Sequence, residues 1–342
     1  MNIKTLLKST IGLSYLNYFS KKYLRNHATI LMMHRIVKEK EEAQLPHNNN
    51  LCIDQETFDN LIFFLKKHFN IVDLETALSM SKDTKPKITI TFDDGWKDNI
   101  SLAYPILKKH QIPATIFLST NYIGQTQGFW WESISRKLWK NPHQIDQQSL
   151  QTYLDKYSLS INPALYKNEK TYAKSALILD FIHSLKQINP VQLNQLAETL
   201  FKDNEAHAMD WSDVKFLEDT GLVKFGPHGA QHYILTELDI DKCTEDIKSS
   251  QKSILENCKK PLNIYCYPNG NNNLEIQNLL KDLGYTHAVS TEDGLVSPEV
   301  NPYCLPRLNV CQKRAENPGL FAWAIFQGCR ETIRSAKAQG SQ

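Results

Sequence analysis

The sequence lacks the features that identify several large classes of protein. Its seven cysteines, at positions 52, 243, 258, 266, 304, 311 and 329, are odd in number and include no C-x-x-C pair. The sequence therefore predicts neither a disulfide framework nor a zinc knuckle, and a reducing compartment fits this cysteine usage best. The chain also has no internal repeat and no low-complexity stretch, which argues against a repeat architecture.

An excess of charge of one sign is missing as well. The chain has 39 Lys and Arg against 37 Asp and Glu, a formal net charge of +2 over 342 residues. No basic tract is interleaved with aromatic residues, so nucleic acid is not expected as a partner. Hydrophobic residues make up 41% of the sequence, enough for one large α/β domain or two smaller ones.

The amino-terminal segment, residues 1–26, has no apolar run long enough to cross a bilayer and no convincing signal cleavage site. Its apolar residues recur about every 3.6 residues. They are Leu6, Leu7, Ile11, Tyr15, Tyr18 and Phe19, with Lys4, Lys8, Lys21, Lys22 and Arg25 around them. This pattern is typical of a helix on a membrane surface or of a helix packed on its own domain. The expected location is the cytoplasm, with peripheral contact to the inner membrane surface through residues 1–26.

Apolar runs alternate with amphipathic patterns along residues 27–315. A strand predicted at 28–33 precedes a helix predicted at 55–68, whose amino end is favoured by Asp54 and Glu56. Further strands are predicted at 87–92, 114–118, 223–226, 262–267, 287–290 and 305–310. This alternation predicts a parallel barrel or an open sheet. Residues 133–210 are predicted as a helical insertion and residues 316–342 as a carboxy-terminal helical tail.

Two adjacent carboxylates follow one predicted strand, in Thr91–Gly95 (TFDDG). Neighbouring side chains of a strand point to opposite faces, so Asp93 and Asp94 reach one cavity only if the chain turns, which Gly95 permits. Carboxylates so close repel each other unless a metal or an arginine offsets them. A simple Asp-Gly turn is the alternative.

Two histidines four residues apart follow another strand, in Gly226–His232 (GPHGAQH). They lie on one face if the segment turns helically after Pro227. Because both segments follow strands, His228, His232 and Asp94 are expected at one edge of the sheet. Two imidazoles and a carboxylate form a metal site with open positions, typical of catalytic zinc and shared by iron oxygenases.

A hydrolase at such a site needs a general base. Gly229 stands where H-E-x-x-H proteases have their glutamate, so the base must come from elsewhere. Asp93, beside the predicted ligand Asp94, fits because a neighbouring cation keeps its carboxylate ionised.

These segments resemble the polysaccharide deacetylases with a NodB homology domain, carbohydrate esterases that remove acetyl from N-acetylated sugars. Thr91–Gly95 matches the first motif of that family, His228 and His232 match the second, and Tyr265–Gly270 resembles the third in its Y-P-x-G form. Segments similar to an exopolysaccharide-linked bacterial branch are Leu31–Ile36, Trp130–Glu132 and Leu305–Leu308. The resemblance covers about residues 28–312 and implies a distorted (β/α) barrel with a helical insertion.

The resemblance also implies roles for individual residues. Asp93 is the general base, and Asp94, His228 and His232 hold a divalent metal, most simply zinc. Arg307 pairs with the base. The backbone amide of Asn269, held by the Pro268–Gly270 turn, contributes to the oxyanion site, and Pro268 and Asn269 contact substrate.

Three positions need further interpretation. Trp131, with Trp130, is expected either as a sugar-stacking wall or as part of a buried aromatic pair, with Glu132 anchoring the segment. Gly229 replaces the usual Ser or Thr after the first histidine. The late histidine that serves the family as general acid is not evident, and His34 is the first candidate for that role, with His287 second.

The expected function is metal-dependent N-deacetylation of an N-acetyl amino sugar in a surface polysaccharide or lipopolysaccharide precursor. That precursor is expected to be lipid-linked or nucleotide-linked. One alternative is an amidohydrolase acting on a small non-sugar amide, and another is a non-catalytic carbohydrate-binding relative.

Overall fold

The computed structural model describes residues 3–24, 26–48, 51–79, 85–126, 128–202 and 207–339. Arg25 and the outer ends of the predicted segments 1–26 and 316–342 lie outside these ranges. The described strands are β1 (Ala28–Met33), β2 (Arg35–Val37), β3 (Cys52–Asp54), β4 (Asn70–Ile71), β5 (Lys87–Phe92), β6 (Ala114–Leu118), β7 (Val223–Pro227), β8 (Ile264–Cys266), β9 (His287–Val289) and β10 (Leu308–Asn309).

Helices connect these strands and flank them. The described α-helices are α1 (Ile3–Ser14), α2 (Ser20–Tyr23), α3 (Lys40–Ala43), α4 (Gln55–His68), α5 (Leu74–Leu78), α6 (Tyr104–His110), α7 (Trp130–Lys140), α8 (Gln147–Asp155), α9 (Tyr172–Leu185), α10 (Pro190–Leu200), α11 (Trp211–Asp219), α12 (Ile240–Asn257), α13 (Leu274–Asp282), α14 (Gln312–Ala315) and α15 (Pro318–Gln339). Tyr15–Phe19 and Asn99–Ala103 are π-helical, and Pro142–Gln144, Pro163–Tyr166, Leu235–Glu237 and Pro268–Gly270 are 3-10 turns.

The strands close into a distorted parallel barrel. The main sheet has the order β10-β1-β5-β6-β7, with β4 pairing the start of β5, while β2–β3 and β8–β9 are separate parallel pairs. Two contacts link the sheets: the Leu262 amide donates to the Phe225 carbonyl at 2.9 Å, and Val289 forms a parallel bridge with Leu305. Between the open sheet and the barrel, the structure therefore selects the barrel.

The predicted strands at 28–33, 87–92 and 114–118 have the predicted bounds, as does the helix at 55–68. The first three are buried along their whole length, as expected for parallel strands covered on both faces. Asp54 caps α4 by accepting from the Thr57 amide at 2.9 Å. The carboxyl ends of β1, β5, β7 and β8 lead directly into the segments with chemistry-bearing side chains.

The helical segment between β6 and β7 has an apolar core of its own. Helices α7, α9 and α10 pack together, and their cluster of buried side chains includes Ile134, Leu138, Ile178, Leu185, Leu193 and Leu196. The helices begin at Trp130, slightly before the predicted residue 133. This segment forms one wall above the barrel.

The amino-terminal helix packs on the carboxy-terminal one. α1 crosses α15 where small residues meet, because a Cβ atom at Gly12 would lie 2.3 Å from the backbone nitrogen of Trp323, and one at Gly319 would lie 2.4 Å from the Cβ of Ser9. Within the described residues, no helix has both the length and the apolar character needed to span a bilayer. Helix α1 thus packs against α15 of the same chain.

Candidate active site

Asp93 and Asp94 leave the end of β5 in different directions. The backbone is left-handed at both Asp94 and Gly95, with φ of +75° and +88°. A Cβ atom at Gly95 would lie 2.7 Å from Cδ2 of Leu118, so this turn needs glycine. The turn predicted from Gly95 is present, and it gives the two buried carboxylates different partners.

Asp93 forms a buried bidentate ion pair with Arg307. The Nη1 and Nη2 atoms of Arg307 each donate to one Asp93 oxygen at 2.7 Å, and its Nε donates to the Ser290 carbonyl at 2.8 Å. Burial alone raises the pKa of Asp93, but the guanidinium beside it holds that pKa below its ordinary value. Arg307 therefore both orients the Asp93 carboxylate and keeps it ionised.

Asp94 lies between the two histidines. Its Oδ1 atom is 3.3 Å from Nε2 of His228 and 3.2 Å from Nε2 of His232. Its Oδ2 atom accepts from the Trp96 indole at 2.8 Å, which fixes the rotation of the carboxylate. Burial raises the pKa of Asp94, but the neighbouring imidazoles hold it well below the ordinary value.

These three residues fit a divalent metal. One ligand atom from each of Asp94, His228 and His232 lies within 4.8 Å of the other two. Oδ1 of Asp94 is buried and has no hydrogen-bond donor among the described residues, an uncommon and costly state for a carboxylate oxygen. Two imidazole nitrogens and one carboxylate oxygen are the donor set of many catalytic zinc sites.

A second group with metal-ligand spacing is Asp93, His228 and Cys266. Asp93 already has Arg307 as its partner, and burial raises the pKa of the Cys266 thiol, which favours its protonated form. Since a thiol must lose its proton to bind a metal, the group around Asp94 is the better candidate.

His228 is held in a defined tautomer. Its Nδ1 lies 2.9 Å from the carbonyl oxygen of Cys266 at the end of β8. Because a carbonyl can only accept, Nδ1 carries a proton, and Nε2 is the nitrogen that faces Asp94 and can bind a metal once it carries no proton. Such a backbone contact commonly orients a metal-ligating histidine.

The two histidines meet through an irregular loop and not through a helical turn after Pro227. Gly229 and His232 have left-handed backbone conformations, with φ of +71° and +54°. Asp246 of α12 holds the loop by accepting from the amides of Ala230 and Gln231, both at 2.9 Å. Sequence reasoning missed Asp246, although an acid beside Ile247 on the buried face of α12 was a usable signal.

The same loop explains Gly229. A Cβ atom at this position would lie 2.8 Å from Oδ2 of Asp246 and 3.3 Å from Cγ of Pro268. The left-handed backbone also disfavours other residues. The glycine that replaces the usual Ser or Thr is therefore required by the way Asp246 and Pro268 pack in this chain.

The two candidate acids lie in different places. His34 follows β1, lines the cavity beside the aspartates, and has its Nε2 4.0 Å from Oδ2 of Asp93. Burial lowers the pKa of His34, so its imidazole is neutral at pH 7. His287 begins β9, has its Nδ1 next to Thr286 Oγ1, and is not among the described residues that line the cavity. Only His34 is near the reacting groups.

The third-motif turn places Asn269 on the cavity wall and Pro268 behind it. Asn269 has φ of +56° and lines the cavity. Pro268 is buried near Gly229 and is not among the cavity-lining residues described. The turn thus brings Asn269 to the site, with Pro268 as its buried support.

An aromatic wall lies beside His232. Trp131 stacks on Phe129, with ring centroids 4.8 Å apart and an interplanar angle of 19°, and its ring centroid is 4.6 Å from that of His232. Glu132 anchors this segment, as predicted, by accepting from Arg35 at 2.8 Å.

Arg35 was missed by sequence reasoning. It also donates to Asp98 at 2.8 Å and lies over the Trp96 ring at 4.4 Å. Since Trp96 donates to Asp94, Arg35 connects the helical segment with the Asp94 carboxylate through Trp96.

These residues surround one cavity of about 260 Å³. Its polar lining residues include His34, Asp93, Asp94, His228, His232 and Asn269. Its aliphatic lining, which we call the apolar arm, consists of Leu51, Leu179, Ile182, Ile188, Leu193 and Ile234. The cavity therefore combines the candidate site with an aliphatic surface formed largely by the helical segment.

A sequence model of the family described as "Polysaccharide deacetylase" matches residues 81–174 and 188–288, more than half of the chain. Among curated relatives, poly-beta-1,6-N-acetyl-D-glucosamine N-deacetylase of Staphylococcus aureus is 24% identical over 311 residues, covering 86% of this chain and 83% of the relative. The protein of the same name from Staphylococcus epidermidis is 22% identical over 306 residues, covering 84% and 81%.

Solved structures show the same fold. Streptococcus pyogenes deacetylase PplD, in complex with acetate, matches with a TM-score of 0.57 and 19% identity over 87% of this chain and 98% of that one. IcaB from Ammonifex degensii matches with a TM-score of 0.55 and 15% identity over 87% and 97%. The distorted barrel implied by the resemblance is confirmed.

Replacing Asp246 by Asn tests whether the loop it holds sets the metal site. An amide can accept only one of the two backbone N–H groups, so we expect Zn²⁺ affinity to fall about 10–100-fold. Competition with a chelating dye measures this, and Asp239→Asn at the exposed start of α12 is the control. Unchanged affinity in a folded Asp246→Asn variant would contradict the role of Asp246.

Proposed function

This chain belongs to the polysaccharide deacetylase family, and we propose that it removes acetyl from an N-acetyl amino sugar by metal-dependent hydrolysis. The observation that carries the proposal is the division of two adjacent carboxylates between different partners. Asp93 pairs with Arg307, while Asp94 faces His228 and His232. A binding protein has no need for this arrangement, whereas hydrolysis needs both a base and a metal.

Asp94, His228 and His232 are the residues that would hold the metal, which we take to be zinc from the donor set. When bound, a divalent metal supplies Lewis-acid polarisation of the acetyl carbonyl and lowers the pKa of water. The hydrogen bonds of Trp96 to Asp94 and of His228 to Cys266 orient two of the ligands in advance.

Asp93 acts as the general base. It takes a proton from the attacking water, whose oxygen bonds to the acetyl carbon. Arg307 holds both Asp93 oxygens at 2.7 Å, so the base cannot rotate away. The amide of Asn269, which lines the same cavity, donates to the carbonyl oxygen as negative charge develops there.

His34 returns the proton to the leaving group. Its Nε2 lies 4.0 Å from Asp93, close enough to take the proton after a small movement and pass it to the sugar nitrogen as the C–N bond breaks. The products are acetate and the free amino sugar. Trp131 provides an aromatic face against which the sugar ring packs.

The proposed substrate is an N-acetyl amino sugar within a surface polysaccharide or lipopolysaccharide precursor, lipid-linked or nucleotide-linked, in the cytoplasm. The names of the Staphylococcus relatives support the sugar chemistry. All seven cysteines are free thiols, which suits a reducing compartment.

The amino-terminal helix supports peripheral contact with a membrane. Its side against α15 contains Ser9 and Gly12, whereas its large apolar residues face outward. These are Ile3, Leu6, Leu7 and Ile11, between 45% and 78% exposed. Lys4 and Lys8 are exposed beside them, and residues 1–38 contain no Asp or Glu. An apolar face with a basic flank is suited to an anionic lipid surface.

Substituting the two aspartates separately tests the division of roles. Asp93→Asn should bind Zn²⁺ like the wild type and lose at least about 10²-fold in kcat for acetate release from N-acetylglucosamine oligomers. Asp94→Asn should lose the metal, because it removes a ligand. Retained metal also shows that Asp93→Asn is folded, although Arg307 has lost its charged partner.

Three outcomes would contradict this proposal. Full activity of Asp93→Asn would show that Asp93 is not the general base. Release of acid or ammonia from small amides, without acetate release from sugars, would favour an amidohydrolase. Sugar binding without turnover by the metal-loaded wild type would favour a carbohydrate-binding relative.

The membrane contact is tested with lipid vesicles. We expect the wild type to sediment with phosphatidylcholine–phosphatidylglycerol vesicles more than with phosphatidylcholine alone. A Leu7→Asp/Ile11→Asp variant should lose about tenfold or more in partitioning, because two side chains no longer enter the interface. Phe63→Asp, at a residue of α4 that is 71% exposed, is the matched control.

Equal vesicle binding by the double variant would contradict membrane contact through α1. A stable dimer that the same variant abolishes would identify a second copy as the partner of this face instead. Recovery of the protein from cells outside the cytoplasmic and inner-membrane fractions would contradict the proposed location.

A further inference from the structure

The side chains of the apolar arm lack the polar groups that would bind the hydroxyl groups of a longer carbohydrate. Its walls come from α9, α10 and the segment between them, with Leu51 and Ile234 completing it. All six of its side chains are aliphatic; Ile182, Ile188 and Leu193 are buried and the other three are partly buried. Such walls offer no hydrogen bonds to sugar hydroxyls.

Two of the polar side chains that line the cavity, Ser135 and His47, already have partners, while His183 and Lys186 also line it. Ser135 Oγ donates to the Trp131 carbonyl at 2.6 Å, and His47 Nδ1 lies 2.6 Å from Ser175 Oγ. Burial lowers the pKa of His47 to about 4, so it is uncharged. A sugar hydroxyl buried against the aliphatic side chains would lose its bonds to water without replacement. A hydrocarbon chain, in contrast, gains by leaving water for such a surface.

One cation lies beside the arm. Lys186 follows the end of α9 and is the only Lys or Arg among the described cavity-lining residues, whose only acids are Asp93 and Asp94. A single ammonium in the cavity lining suits one anionic linking group between a sugar and its aglycone.

We infer that the apolar arm binds a hydrocarbon chain of the substrate, so that this enzyme deacetylates a sugar joined through an anionic linkage to a lipid. This inference rests on the proposed function and selects the lipid-linked substrate over a nucleotide-linked one or a bare polysaccharide. The arm is continuous with the cavity that contains Asp93, so a sugar at the reaction centre can extend its aglycone directly into the arm.

The inference is tested with methyl, octyl and dodecyl glycosides of N-acetylglucosamine, used below their micelle-forming concentrations. We expect kcat/KM for acetate release to rise at least about tenfold from methyl to octyl, mainly through KM, because methylene groups leave water. A farnesyl phosphate-linked N-acetylglucosamine should exceed the octyl glycoside, and Lys186→Met should remove that excess. UDP-N-acetylglucosamine and β-1,6-linked oligomers should be poorer substrates.

A matched pair of variants locates the effect. Leu179→Gln should bring the octyl-to-methyl ratio of kcat/KM close to one, because Leu179 lines the arm. Leu177→Gln, on the same helix and also partly buried but not among the cavity-lining residues, should keep the wild-type ratio. Because both kcat/KM values in this ratio are measured on the same variant, a general loss of active protein does not change it.

The results separate this inference from the proposed function. Acetate release that does not depend on chain length, or that is fastest on β-1,6-linked oligomers, would overturn the lipid-binding arm and leave deacetylation standing. Absence of acetate release from every sugar by the zinc-loaded protein would overturn both. A chain-length effect that Leu179→Gln leaves intact would overturn the assignment of the arm.

Discussion

The site depends on the buried ion pair between Arg307 and Asp93, which are 214 residues apart in sequence. Two charges taken out of water cost several kcal/mol each, and this cost is offset only when geometry and hydrogen bonding are nearly ideal. Here the pairing is bidentate, and Ser290 and Thr91 accept from two further N–H groups of Arg307. The pair therefore joins the end of β5 to the residue that precedes β10. It also fixes the orientation of the Asp93 carboxylate.

Because Arg307 pairs with Asp93, Asp94 is available for other partners. The left-handed backbone at Asp94 and Gly95 directs the second carboxylate away from Arg307 and toward the two histidines. Strained backbone of this kind persists where surrounding contacts determine it, and it is concentrated at functional sites. Two chemically identical neighbours thus have different environments because of one turn.

Much of this could be predicted from local sequence. The strands ending at Met33 and Phe92 were predictable from an apolar run and from an alternation of apolar residues with threonine, and the segments after them contain His34, Asp93 and Asp94 of the site. The loop that joins His228 to His232 could not be predicted, since its shape depends on Asp246 of a later helix. Arg35 and the apolar arm were also missed, because their partners come from segments distant in sequence and only tertiary packing brings them together.

The most direct test of the account is a crystal structure of the zinc-loaded protein measured at the zinc absorption edge. The account predicts one anomalous peak bonded to Asp94 and to the Nε2 atoms of His228 and His232, with Asp93 still paired with Arg307. A peak bonded to Asp93 or Cys266, or zinc bound only elsewhere, would contradict the division of roles between the two aspartates.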